Sequence, residues 1–339
     1  MKISVAIPTY KRINDLKECL DSILIQTILP VEVIVVDNEN SPTTEDAINL
    51  EIKKFESKGI KLKYIANTIE NSLTVARNLG VKNTTGDIVS FLDDDMVLYP
   101  EYYQEITRVF AMYPDALGVA GYPVIEFKQY EKAALLLINI ISRLFYQNYY
   151  SNNKFKLNPS LNPSMLLPGV KYKKNIFANC QWISGASTIK KEVFNEFTYD
   201  EILKKYSWGD DHEFGYRIYK KYPNSLFFNL NAKYIHKVTQ TGRASNKVST
   251  YGIEVYHLYL FYKIMDNTIK NKIIYAWSRI GKILFKIIFL FYFGKRYRYR
   301  RTNFIDIIYI IKAYFYCFKH LEKIKKGDLE FINKQIMKQ

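Results

Sequence analysis

The chain has 339 residues, with 49 Lys and Arg against 33 Asp and Glu, and a formal net charge of +16. That length accommodates one large α/β domain, an appendage and a substantial buried core, so small-scaffold staples are unnecessary. Its three cysteines, Cys19, Cys180 and Cys317, are far apart and match no zinc or redox spacing, which excludes a disulfide framework and points to packing roles in a reducing compartment.

The charge is unevenly placed. Residues 1–232 hold 27 basic and 27 acidic side chains, which leaves 22 and 6 for 233–339. A neutral body therefore precedes a basic tail rich in aromatic residues, and the two require separate explanations. The opening MKISVAIPTY runs directly into a β-like apolar stretch without a charged leader or an h-region. It reads as no secretory signal, with the catalytic part expected in the cytoplasm.

In chain order, short β-branched runs alternate with helical patterns, as in a βαβ parallel sheet. The expected strands are Ile3–Ile7, Val31–Asp37, Leu62–Ala66 and Asp87–Leu92. Between them, Asn14 to Gln26 and Ser72 to Val81 place apolar residues at helical spacing and read as crossover helices. Three strand ends, Pro8-Thr9-Tyr10, Asp37-Asn38 and Asp93-Asp94-Asp95, turn polar or special just after apolar runs. Ligands of open α/β folds bind at such ends, so one crevice is expected there.

From Gly121 to about Phe177 the pattern is irregular and reads as an insertion, with a short apolar helix over Ala133–Ile141. Regular structure resumes at Trp182-Ile183-Ser184-Gly185-Ala186, then a helix-like Lys190–Glu196, then Trp208-Gly209-Asp210-Asp211 leading into a helix through Tyr219. After Tyr234-Ile235-His236 the catalytic vocabulary ends.

Three adjacent carboxylates at a strand end repel one another unless a cation or hydrogen-bond donors intervene. A hard divalent cation such as Mn²⁺ or Mg²⁺ removes that cost; a solvated acidic turn capping the next helix is the equal alternative for the cluster taken alone. Neither G-x-G-x-x-G nor G-x-x-x-x-G-K-[ST] is present, which disfavours a dinucleotide fold and a P-loop. A diphosphate would instead be neutralised by a metal together with Arg77 or Arg12. Trp182 and Trp208 read as an apolar wall or a sugar platform, although single tryptophans are more often core.

The ordered set SVAIPTYKR, VIVVDN, ARNLG, TGDIVSFLDDD, WISGAS, WGDDHEF and the isolated His236 resembles glycosyltransferase family 2, over roughly residues 1–240. The resemblance implies the GT-A fold, a mixed α/β sheet flanked by helices, and inverting transfer from a nucleoside-diphosphate sugar, with a UDP-sugar as the first expectation. It implies that Pro8, Thr9 and Tyr10 embrace the nucleotide base, with Asp37 hydrogen-bonded to it and Asn38 beside it. Asp93-Asp94-Asp95 matches the family's D-x-D element, with Asp95 on the metal and Asp93 nearer the ribose. Arg77 would approach the nucleotide, and Gly185 with Ala186, Trp182 and Trp208 would border donor sugar and acceptor. Asp211 would be the general base and His236 would complete the metal site. Asp210 stands where the family more usually has glutamate, which leaves open which carboxylate of the pair is the base.

On this reading 1–240 is the catalytic domain (1–120 nucleotide half, 121–180 insertion, 181–240 acceptor and base half), and 241–339 is a helical, membrane-associating extension. Beyond Ile273, Arg279, Lys282 and Lys286 recur at intervals of three and four, with Trp277, Ile280, Ile283, Leu284 and Ile287 around the rest of the circumference. No run of about 20 apolar residues occurs, so the expectation is an interfacial basic helix, with Lys295, Arg296, Arg298, Arg300 and Arg301 reaching anionic headgroups and a second apolar helix at Ile305–Phe318. Packing of both helices on the body is the bland alternative, and nucleic acid is not the expected partner. The setting expected is the inner face of the cell membrane and a glycan or lipid-linked acceptor in surface-polysaccharide assembly. Rival readings of the whole are an inactive sugar-nucleotide or membrane-binding module and a metal-dependent nucleotidyltransferase.

Overall fold

The β-branched runs of the first hundred residues form the parallel half of one sheet: β1 (Ile3–Thr9), β2 (Glu32–Asp37), β3 (Lys61–Ala66) and β4 (Ile88–Phe91). A computed structural model describes residues 1–124, 140, 142–146, 155–163, 177–241, 243–288, 290 and 304–337. β1 pairs in parallel with β2 and β4, and β2 with β3. Every residue of β1, β2 and β4 is buried, because helices cover both faces and a strand so placed needs a continuous apolar run. Val33 and Val35 face the larger core, with α1 (Ile13–Leu24) and α2 (Pro42–Glu56), while Ile34 and Val36 face Ala76 of α3 (Leu73–Lys82) on the opposite side. α1 and α3 agree with the helices expected there. α2 was not read from the sequence, and only Thr44, Ile48 and Phe55 of its fifteen residues are buried, too few to imprint a period.

The second half of the sheet adds β5 (Met96–Leu98), β6 (Gly118–Pro123), β7 (Phe177–Asn179), β8 (Ser187–Lys190) and β9 (Leu226–His236). The strand order is β3-β2-β1-β4-β8-β6-β9-β5, with β7 also on β9. Two registers position the crevice. β4 and β8 are antiparallel with Phe91 opposite Ser187, so the aspartates after β4 emerge beside residues 182–186 before β8. β5 and β9 are antiparallel with Met96 opposite His236, which carries the histidine to Asp95.

Helix α4 (Tyr102–Met112) and a 3₁₀ turn, Lys191–Asn195, complete this half with α5 (Asp210–Lys221). The turn occupies the place of the expected helix at Lys190–Glu196. Gly215 of α5 lies directly on the neighbouring backbone: a Cβ there would stand 2.8 Å from the Ile183 amide nitrogen. This close approach sets the first turn of α5, with Asp210 and Asp211, beside the entry to β8.

The chain groups into two compact units, Met1–Glu126 with Lys171–Arg243, and Phe127–Val170 with Ala244–Gln339. Most of the segment expected as an insertion in the catalytic domain thus groups with the C-terminal helices. Apart from Ile140, the apolar stretch Ala133–Ile141 lies outside the described residues, as do Lys295, Arg296, Arg298, Arg300 and Arg301.

The second unit contains α6 (Asn246–Ile264), α7 (Ile269–Ile288), α8 (Phe304–Lys319), α9 (Leu321–Lys325) and α10 (Glu330–Met337). Val255, Tyr259 and Phe261 of α6 and Ile307, Ile310, Ala313 and Cys317 of α8 are buried. The basic side of α7 faces the interior of this unit. Arg279 is buried with its Nη1 donating to Glu254 Oε2 at 3.0 Å and its Nη2 to the Ser160 carbonyl at 2.8 Å, and Lys282 pairs with the other Glu254 oxygen. A buried carboxylate attracts the basic side of α7 inward, which leaves Ile273, Trp277, Ile280 and Leu284 exposed. Among the described residues no helix is long and apolar enough to cross a membrane. Cys19, Cys180 and Cys317 are free, buried thiols.

Candidate active site

The ends of β1, β4 and β9 meet on the carboxylates that follow β4. Asp94 is buried; it accepts from Thr9 Oγ1 at 2.9 Å, from the Tyr10 amide at 3.4 Å and from Arg12 Nη1 at 3.0 Å. Burial pushes its carboxyl up to about 6, against the pull of Arg12 and Thr9. This aspartate therefore ties β1 to the end of β4, engaged by Thr9, Tyr10 and Arg12.

Asp95 is also buried. Its Oδ2 accepts from the Thr239 amide at 3.0 Å and lies 3.5 Å from Arg12 Nη1, while its Oδ1 stands 3.1 Å from His236 Nε2. Burial opposes its charge, yet His236, the Thr239 amide and Arg12 hold its carboxyl below the ordinary range. Burial likewise disfavours a charged His236, and Asp95 and Asp93 outweigh that effect and raise its pKa. One carboxylate oxygen from each of Asp93 and Asp95 and a nitrogen of His236 all lie within 4.8 Å of one another. Asp95 Oδ1 is buried and receives no hydrogen bond of good geometry. Two carboxylates and an imidazole around an oxygen left without a donor suit Mn²⁺ or Mg²⁺.

Arg77 connects this cluster to α5. Its Nη1 donates to Asp210 Oδ2 at 2.5 Å and to Asp211 Oδ1 at 2.7 Å, and its Nη2 to Asp93 Oδ1 at 3.2 Å. Only 1% of its side chain is exposed. The expectation that Arg77 meets a diphosphate is thus revised: its guanidinium pairs with three carboxylates and lies over the ring of Tyr199, its carbon 5.2 Å from the ring centroid. Arg12, the alternative phosphate partner, is likewise engaged, through Asp94, Asp95 and the carbonyls of Thr239 and Thr241.

The two aspartates of α5 differ in access. The Asp210 side chain is 7% exposed and that of Asp211 24%. Burial raises both pKa values; Arg77 opposes the rise in each, and neighbouring carboxylates add to it. Asp211 is therefore the more open of the two, its carboxylate made more basic by burial, whereas Asp210 is held by Arg77.

The residues expected on the nucleotide side stand at the ends of β1 and β2, with Asn67 after β3 beside them. Asp37 is buried and accepts from the amides of Glu39 at 2.9 Å and Ser41 at 2.8 Å and from the Tyr64 hydroxyl at 3.1 Å, so it also orders the turn into α2. The Asn38 amide donates to the Thr9 carbonyl, and Asn67 Nδ2 donates to Asn38 Oδ1. Pro8 is buried in the pairing of β1 with β2, and Tyr10 is part-exposed beyond it. Sequence reading passed over Asn67, although it turns polar directly after β3 as Asp37 does after β2. It also missed the loop 237–241 and Arg243, whose Nη2 lies 3.7 Å from Asp95; nothing in their spacing announces them.

Of the residues expected to border the sugars, Gly185 is the closest to the cluster: a Cβ there would stand 2.9 Å from Asp93 Oδ2 and 3.5 Å from Arg77 Nη2. Gly185→Ala is therefore expected to displace Asp93 and weaken Mn²⁺ binding by about tenfold or more without lowering the melting temperature, as read by Mn²⁺ titration beside calorimetry. An unchanged affinity would remove Gly185 from this role. Trp182 is buried edge-on to His212 (5.1 Å) and Phe228 (4.9 Å), and Ala186 is buried with its carbonyl accepting from Tyr102 Oη. Both pack the core and offer no open sugar platform. Trp208 is part-exposed and lies tilted beside Tyr206, with ring centroids 5.9 Å apart.

The model of glycosyl transferase family 2 matches residues 4–165. Glycosyltransferase GlyA of Streptococcus pneumoniae serotype 4 is 30% identical over 152 residues, 44% of this chain and 20% of that protein, so the chain spans about a fifth of this relative. Among solved structures, the mannosyltransferase PcManGT of Pyrobaculum calidifontis, in complex with GDP-Man and Mn²⁺, aligns over 93% of this chain and 86% of its own, with TM-score 0.55 and 16% identity. GalNAc-T7, with UDP, GalNAc and Mn²⁺, aligns over 83% and 55%, with TM-score 0.53 and 16% identity. The fold is thus the mixed sheet with flanking helices of the GT-A type, and residues 4–165 of the chain are similar to glycosyl transferase family 2.

Proposed function

We propose that this protein transfers one sugar from a nucleoside-diphosphate donor to a hydroxyl of a glycan or lipid-linked glycan, with inversion at the anomeric carbon. The observation that carries the reading is the chain of contacts from Asp95 and His236 through Asp93 and Arg77 to Asp211, which joins a cation-binding set to a base within one crevice. Two proteins of this fold hold a nucleoside diphosphate together with Mn²⁺, which supports the same pairing here.

Asp93, Asp95 and His236 would hold the divalent cation, which when bound supplies counter-charge to the departing diphosphate. Asp211 takes the proton of the acceptor hydroxyl as its oxygen bonds to the anomeric carbon, and the carbon–phosphate-oxygen bond breaks with its electron pair leaving on the diphosphate. Arg77 keeps Asp211 and Asp93 at fixed separation and compensates part of their charge. Pro8, Thr9, Tyr10, Asp37 and Asn38 form the nucleotide side, and a UDP-sugar is the first donor to test. Assembly of a surface polysaccharide or glycolipid at the inner face of the cell membrane is the setting that fits the basic, apolar tail.

A panel of UDP-, GDP- and dTDP-sugars, with and without Mn²⁺ or Mg²⁺, tests the reading. One donor is expected to release its nucleoside diphosphate; chelation should abolish release, and Asp95→Ala or His236→Ala should lower it by about 10²-fold or more. Full release in chelator would sink the metal role. Release of pyrophosphate in place of nucleoside diphosphate would favour a nucleotidyltransferase, and donor binding without turnover an inactive module.

A further inference from the structure

The second unit presents two helices whose exposed faces are apolar and whose charged faces point inward or flank the apolar side. On α7, Ile269, Ile273, Trp277, Ile280 and Leu284 recur at intervals of four, four, three and four, within a stripe roughly 100° wide. Ile269 is 77% exposed and Trp277 48%, although Trp277 also stacks on Phe145 and donates from its indole to the Leu144 carbonyl. On α8 the series Phe304, Ile308, Ile311, Phe315 and Phe318 repeats the pattern, with Phe315 72% and Phe318 80% exposed. Scattered exposed apolar residues are ordinary, whereas periodic stripes on two helices of one unit mark an interaction surface.

The charge around the stripes identifies the occupant. Lys270 and Lys272 flank the stripe of α7 and Lys312 and Lys319 that of α8, all exposed. α7 contains no acidic residue, and the one in α8, Asp306, lies on the side away from its stripe. The sequence joining the two helices adds Lys295, Arg296, Arg298, Arg300 and Arg301 and no acid. Apolar side chains bordered by cations, on helices unable to span a bilayer, suit the boundary between acyl chains and anionic headgroups.

We infer that the exposed faces of α7 and α8 insert into the interface of an anionic lipid bilayer, with the flanking lysines on its headgroups. This rests on the membrane setting proposed above and takes Arg279 and Lys282 out of the lipid contact: both hold the unit together through Glu254.

Flotation of the full chain with vesicles of phosphatidylcholine and phosphatidylglycerol tests the inference without donor or acceptor, so its outcome is independent of the transferase reading. The wild-type chain is expected to float. Ile280→Glu and Phe315→Glu, at exposed positions, should each lower the bound fraction by about tenfold while leaving the far-ultraviolet dichroism unchanged. Leu50→Glu, at an exposed apolar position of α2, should float like the wild type. A wild-type chain that stays with the soluble fraction overturns the inference. So does flotation retained by both stripe variants, or a wild-type oligomer in sedimentation velocity that either variant splits without any vesicle binding, which would assign the stripes to a second copy of the chain.

Discussion

Replacing Asp211 by Asn is expected to lower the rate of sugar transfer by about 10³-fold while leaving the affinities for Mn²⁺ and donor within a factor of a few. The amide is nearly isosteric and can still accept from Arg77, but it cannot take the acceptor proton. Asp210→Asn should behave differently. Asp210 is buried and holds Arg77 at 2.5 Å, so its replacement leaves part of a buried guanidinium charge uncompensated and lowers stability, by roughly 2–4 kcal/mol. Steady-state kinetics and thermal unfolding of the two variants separate the roles. If Asp211→Asn keeps more than about a tenth of the wild-type rate and Asp210→Asn loses it all at unchanged melting temperature, the two assignments must be exchanged.

Glu254→Gln is expected to cost the folded chain about 3 kcal/mol or more at neutral pH, because Arg279 and Lys282 then face a neutral partner, Arg279 in a buried position. The same network predicts an acid-sensitive step. Burial works against the charge of Glu254, but Lys282 and Arg279 prevail and hold its carboxyl down at about 2. A carboxyl depressed in the folded state contributes stability above its unfolded pKa of about 4.3, and that contribution fades as pH falls toward about 2. The wild type should therefore lose roughly 3 kcal/mol from this group between about pH 5 and 2, and Glu254→Gln should show a correspondingly flatter decline in the same window. Urea melts at several pH values measure both; equal slopes, or a variant as stable as the wild type at pH 7, would show that Glu254 is not the residue that orders this unit.

The parallel half of the fold was legible because its strands, covered on both faces, must be written as unbroken Val and Ile runs, as in Val33–Val36, and because the chain turns polar at each carboxyl end. The candidate site was legible for the same reason at Asp37 and Asp93-Asp94-Asp95, and Asp211 and His236 through the resemblance to family 2. α2 escaped notice because it buries little, and β5 because three residues, Met96–Leu98, carry no period.

What the sequence determined by itself was which residue types stand at the strand ends, how the charge divides at about residue 232, and hence the class of chemistry available. Partners across long loops were beyond it. The pairing of β5 with β9 puts His236 on Asp95, and Arg77 joins Asp93 to Asp210 and Asp211 from another helix; such contacts depend on register and packing between distant segments, which leave no local pattern. The same limit governed α7. Its periodicity showed that one side is basic and another apolar, but only the burial of Glu254 on α6 decided that the basic side turns inward, since pairing a buried carboxylate outweighs hydrating Arg279 and Lys282.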